Sequence, residues 1–146
     1  MQAFDLNLEK VLAHWTVPFA IRELIANALD EQVLTGTADP VIVKDDAGCW
    51  HVADAGRGVR YEHLTQKENA EKRKHPLVIG QFGMGLKDAL AVFDRRGVDV
   101  VIRSPHALIT TGRRPKDPPR PVARASALRG NPVARAGAHA LGGAFC

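Results

Sequence analysis

The sequence predicts an α+β domain in which helices pack on a sheet, and three observations carry that prediction. Two segments, from Pro18 to about Thr35 and from Gly85 to Arg96, repeat their apolar residues at helical spacing. Four short runs, 40–44, 49–53, 98–102 and 107–111, are rich in β-branched residues and fall into two pairs joined by turn-forming residues. The chain has 146 residues, enough for one domain with a core of its own.

Taken in order, Leu8, Val11, Leu12 and Trp15 recur at helical spacing, so residues 5–15 read as a short amphipathic helix capped by Asp5 or Asn7. Pro18 fits the first turn of the next helix, where a missing N–H costs nothing, and Gly36 fits its C-cap. Asp45-Asp-Ala-Gly48 joins the first strand pair. Residues 60–76 carry Lys67, Lys72, Arg73 and Lys74 against Glu62, Glu68 and Glu71 and read as a mobile charged loop with a helical turn, ending at His75-Pro76. Leu86, Ala89, Leu90 and Phe93 give the next helix an apolar face, and Gly97 stops it. Ser104-Pro105-His106 turns the second strand pair.

The net charge of +4 is unevenly distributed. Residues 1–112 carry 13 Lys and Arg against 15 Asp and Glu, whereas residues 113–146 carry seven against one Asp. The sequence therefore predicts a domain over 1–112 and a basic tail over 113–146, rich in Pro, Ala, Arg and Gly and too poor in large apolar residues to offset its ordering entropy. The tail reads as disordered, or as text from a shifted reading frame. A basic tail attracts nucleic acid by counterion release, but without interleaved aromatics this supports a nucleic-acid partner only weakly. Cys49 and Cys146 have neither CxxC nor metal-ligand spacing, which predicts a reducing compartment and no disulfide. No run approaches the roughly 20 apolar residues of a membrane span, and the N-terminus is no signal peptide. The expectation is a cytoplasmic protein with no membrane partner.

The chemistry centres on Ile21-Arg-Glu-Leu-Ile-Ala-Asn-Ala-Leu-Asp-Glu31. Glu23, Asn27 and Asp30, four and three residues apart, share one stripe of a helix. In isolation such a stripe is usually a solvated face. Two downstream glycine clusters change the reading: Asp54-Ala-Gly-Arg-Gly58 and Gly80-Gln-Phe-Gly-Met-Gly-Leu-Lys87. Together the three segments make a site for a nucleotide and a metal. The Asn27 side-chain carbonyl is a hard oxygen ligand for a metal on a triphosphate. Glu23, one turn earlier, is placed to orient and deprotonate a water aimed at the terminal phosphate. Asp30 is expected to tie the helix end to the first glycine loop. Asp54, at a strand end, can accept a hydrogen bond from an exocyclic amine, which selects adenine. Gly56 and Gly58 let backbone approach a flat ring without a Cβ in the way. DxGxG alone is as often a surface turn. Gly80, Gly83 and Gly85 lead into a helix whose first N–H groups, including that of Leu86, can face phosphate oxygens, with Lys87 adding a positive charge. The pattern is neither a P-loop nor a dinucleotide fingerprint.

Glu-x-x-x-Asn-Ala-x-Asp, Asp-x-Gly-x-Gly and Gly-x-x-Gly-x-Gly-Leu-Lys, in this order, resemble the nucleotide-binding domain of the GHKL superfamily. That superfamily includes DNA gyrase, heat-shock chaperone ATPases, MutL, MORC proteins and sensor histidine kinases. The resemblance covers about residues 15–112 and is nearest the chaperone and MORC versions at 79–87. It implies the Bergerat fold, a two-layer α+β sandwich with a mixed sheet and helices on one face, truncated at its C-terminal side. It also implies ATP and Mg²⁺ as cofactors and an ATP lid over residues 60–82. By position Glu23 matches the general base, Asn27 the magnesium ligand, and Asp54 the adenine-reading aspartate with Gly58 at the ring. Gly83, Gly85 and Lys87 match the phosphate-holding positions. The chain departs from the family in two respects. No strand after Thr111 offers the expected adenine-pocket threonine, and no following domain supplies a catalytic lysine.

The function expected is ATP binding with slow Mg²⁺-dependent hydrolysis, acting as a conformational switch toward a second copy of the chain or a downstream protein. Glu23 favours this over a histidine-kinase-like phosphotransfer module, for which His14 is a poor phosphoacceptor. A catalytically dead ATP-binding regulator is the third reading.

Overall fold

A computed structural model of the chain describes residues 2–5, 14–65, 70–80, 85–114, 120–126 and 141–146. Helix α1 spans Val17–Thr35, with Pro18 in its first turn. It ends where Gly36 turns left-handed at φ +64° and donates its N–H to the Gln32 carbonyl at 2.8 Å. A side chain with a Cβ would strain that turn, which is why glycine stands at the helix end. Helix α2 is short, Ala70–Lys74, and follows a 3₁₀ turn at Tyr61–Leu64. Helix α3 spans Gly85–Arg96 and is stopped by Gly97.

The strands are β1 (Gln2–Asp5), β2 (Val41–Lys44), β3 (Trp50–Asp54), β4 (Val100–Arg103), β5 (Leu108–Arg114), β6 (Arg120–Ser126) and β7 (Leu141–Phe145). They form one sheet in the order β1-β6-β5-β4-β7-β3-β2. Val52, Val100, Ile102 and Ile109 alternate inward from β3, β4 and β5 and meet Ala20, Leu24 and Ala28 of α1 and Leu90, Val92 and Phe93 of α3 in one core. Each fully buried Leu, Ile, Val or Phe contributes roughly 1.5–3 kcal/mol. α1 packs against both α3 and β3, and its residues share the core with those of β3, β4 and β5.

The α+β class agrees with the sequence reading, and the bounds of α1, α3 and β2 to β5 fall within two residues of it, except that β5 runs on to Arg114. Three expectations are corrected. Among the described strand pairs the sheet is antiparallel throughout, not mixed, because β7 inserts between the co-directional β3 and β4 and pairs antiparallel with both. The tail is not structureless at 120–126 and 141–145, which form β6 and β7. Phe145 explains the latter: it is buried and stacks on Phe93 with ring centroids 5.8 Å apart. Finally, Cys49 and Cys146 form a disulfide across 97 residues of sequence. Register brings them together, since Trp50 pairs with Phe145 and the adjacent cysteines follow, their Cα atoms 4.5 Å apart. The short helix expected over 5–15 falls largely on residues 6–13, outside those described.

Candidate functional site

The site is built along α1. Glu23 sits where α1 crosses the start of α3, so close to Gly85 that a Cβ there would collide with the Glu23 carboxylate. Its Oε1 accepts a hydrogen bond from Arg22 at 2.8 Å. One turn on, the Asn27 side-chain N–H donates to the Glu23 carbonyl at 2.8 Å, which points Asn27 Oδ1 away from the helix. That oxygen accepts a hydrogen bond from Lys72 Nζ at 2.9 Å.

Asp30 is only 1% exposed and is satisfied from across the chain. Its Oδ1 accepts the Ile79 N–H at 2.6 Å, and its Oδ2 accepts the Gly80 N–H at 2.9 Å and Lys72 Nζ at 3.0 Å. A Cβ on Gly80 would stand 2.9 Å from Asp30 Oδ2, so the close approach requires glycine there. The expectation that Asp30 ties the helix to the first glycine loop is thus corrected: it holds the second glycine-rich segment.

The first loop is held by Glu31. Its Oε1 accepts the Arg57 backbone N–H at 2.7 Å and Arg57 Nε at 2.8 Å, and Oε2 accepts Arg57 Nη2 at 3.2 Å. Arg57 also reaches Glu71 of α2 at 3.1 Å. Burial pushes the Glu31 carboxyl up, but the hydrogen bonds and charge of Arg57 outweigh it and leave Glu31 below the ordinary carboxylate range. Asp54, 2% exposed at the end of β3, accepts the Gly56 N–H on Oδ1 at 2.8 Å, folding the loop back in an Asx turn. Gly58 is left-handed at φ +82°. The turn between β4 and β5 supports the loop from below: Ser104 Oγ donates to the Val59 carbonyl at 2.6 Å, and His106 Nε2 lies 3.1 Å from the Arg57 carbonyl.

Leu86 packs its side chain against the core, so its backbone N–H, with those of Gly85 and Lys87 in the first turn of α3, is what it offers an anion. Asp88 in that turn is buried, and burial raises its carboxyl above the ordinary range, with Lys87 pulling it back and Glu23 adding to the rise. Gly83 lies outside the described residues, as does part of the expected lid over 60–82.

Every described segment singled out from the sequence therefore converges on one edge of α1. The sequence reading missed Glu31, Arg57, Lys72, Ser104 and His106. Lys72 was legible only as one charge in a run, and Glu31 as one acid beside another. As for a metal, no group of three or more His, Cys, Asp or Glu gathers among the described residues. Asn27 Oδ1 and Asp30 Oδ2 are hard oxygens of the kind a divalent cation takes, and the Lys72 ammonium already stands between them as a cation.

No family model matches the chain. It is 42% identical over 120 residues to a protein of Mycoplasma pneumoniae (strain ATCC 29342 / M129 / Subtype 1) described as an uncharacterized protein. The match covers 80% of this chain and 49% of that protein, so the chain spans about half the length of this relative. Among the described residues no helix is long and apolar enough to cross a membrane.

Proposed function

We propose that the chain is an ATP-binding domain of GHKL type that hydrolyses ATP slowly in the presence of Mg²⁺ and acts as a nucleotide-driven switch. The observation that carries this reading is the convergence on α1. Glu23 meets the start of α3, Asp30 grips Ile79 and Gly80, and Glu31 grips the Asp54–Gly58 loop through Arg57. A polar helix stripe facing two glycine-rich turns has little to offer the core, and much to offer a ligand with a flat ring at one end and phosphates at the other.

In this reading Asp54 accepts the adenine amine, and the loop at Gly56 and Gly58 lies along the ring. The first-turn N–H groups of α3 and Lys87 hold phosphate oxygens. Glu23 takes the proton from a water as its oxygen attacks the terminal phosphorus and ADP leaves. Asn27 Oδ1 would hold Mg²⁺, which would supply neutralising charge to the phosphates. A cytoplasmic setting belongs to the same proposal, and in a reducing compartment Cys49 and Cys146 would stand as thiols.

The test is titration of the folded chain with a non-hydrolysable ATP analogue, with and without Mg²⁺. Mg²⁺-dependent binding that is lost in both Asp54→Asn and Asn27→Ala is the expected result. A folded chain that binds no analogue overturns the proposal.

A further inference from the structure

Lys72 belongs to α2, yet its ammonium is spent 45 and 42 residues away, on Asn27 and Asp30. Its side chain is 12% exposed, far less than a lysine of a solvated helix, and Asp30 beneath it is 1% exposed. The hydrogen bond from Asn27 to the Glu23 carbonyl fixes the amide so that its oxygen, not its nitrogen, meets the lysine. One carboxylate thus receives three donors from a single stretch of chain: Lys72 Nζ, the Ile79 N–H and the Gly80 N–H. Glu71, the neighbour of Lys72, adds its bond to Arg57. Segment 70–80 is therefore folded onto α1 at both ends, and its cation sits on the oxygens a divalent metal would use.

A second cation cannot share Asn27 Oδ1 with an ammonium already 2.9 Å away without strong repulsion. We propose that Lys72 is a resident counter-cation that latches α2 over the site, and that a divalent cation binds by displacing it and releasing α2, while the Ile79 and Gly80 amides stay on Asp30. Metal binding and the latch then compete for one oxygen pair, so occupancy of the site is coupled to the position of α2. This rests on the reading of Asn27 as a metal ligand in the proposed function.

The test compares the wild-type chain with Lys72→Met by NMR of ¹⁵N-labelled protein titrated with Mn²⁺ alone. The readout is the Mn²⁺ concentration that broadens the Asn27 side-chain amide and the Ile79 and Gly80 amides. Displacement predicts broadening at about tenfold lower Mn²⁺ in the variant, within the usual range of coupling between sites. Equal midpoints, or a weaker response in Lys72→Met, overturn the latch. Lys72→Gln, which keeps an N–H donor for Asp30 but no charge, reads the same way if Lys72→Met does not fold. A parallel titration with the non-hydrolysable ATP analogue and Mg²⁺ separates the two proposals. If neither chain binds the analogue, the ATP reading falls, while the Mn²⁺ midpoints still decide the latch.

Discussion

The Asp30 carboxylate accepts the backbone N–H of Ile79 at 2.6 Å, across 49 residues of sequence, and so pins a charged surface segment to the middle of the molecule. A charge-assisted bond of this kind is about twice as strong as a neutral one, and here it is almost sealed from water. Asp30→Ala leaves the Ile79 and Gly80 amides and the Lys72 ammonium without that acceptor. We expect a loss of about 3–5 kcal/mol, the usual result of removing one partner of a buried ion pair, in urea unfolding. Trypsin should also cut faster after Arg73 and Lys74. A variant as stable and as resistant as the wild type would show that the tether carries no stability.

Glu23→Gln keeps the size and most of the contacts of the side chain but cannot accept a proton. Turnover is expected to fall about 10²–10⁴-fold, the usual contribution of a general base, with affinity for the ATP analogue retained. A parallel loss of affinity and turnover would mean that Glu23 binds and does not catalyse.

Two glycines beside the acidic stripe should respond differently to alanine. At Gly56 the new Cβ would fall on the Cγ of Glu31, which is tied to Arg57 and has little room to yield. Gly56→Ala is expected to cost about 1–3 kcal/mol, as overpacking does. At Gly85 the Cβ meets the carboxylate end of Glu23, which can swing aside. Gly85→Ala should therefore spare stability, measured by thermal unfolding, and reduce turnover by displacing Glu23. Equal effects of the two changes on both measurements would refute this difference.

Glu31 supplies a pH dependence of defined sign. Its carboxyl is held below the ordinary range in the folded chain. Its pairing therefore stabilises the fold fully above the unfolded glutamate value of about 4.3. The benefit is lost as pH falls from there through the lower folded value. The stability advantage of the wild type over Arg57→Met should be constant near neutral pH and shrink on acidification below about pH 4, as read from urea midpoints. An advantage that grows in acid would contradict the assignment.

The Cys49–Cys146 disulfide closes 97 residues of chain, for which loop-closure entropy gives an upper bound of roughly 4–5 kcal/mol. Dithiothreitol or Cys49→Ser should lower the melting temperature of the oxidised chain. Intact mass under non-reducing conditions should be about 2 Da below the reduced mass. Unchanged melting on reduction would leave β7 held by Phe145 and its strand partners alone.

The sequence by itself determined α1, α3 and the two strand pairs between 40 and 111, because each is written in local terms: 3.6-residue or two-residue apolar spacing, and a glycine where the chain must turn left-handed. It also identified Glu23, Asn27 and Asp30 as one stripe, since helical geometry alone puts them there. Only the tertiary structure decided what meets that stripe. Whether Asp30 or Glu31 grips the first glycine loop depends on a few ångströms of crossing geometry between α1 and β3. That Lys72 and no other residue of its charged run reaches Asn27 depends on how 70–80 folds back. The place of β7 was equally non-local. Phe145 is one apolar residue in a biased tail, and its burial follows from the space beside Phe93 and from open hydrogen-bonding edges on β3 and β4, none of which a one-dimensional pattern records.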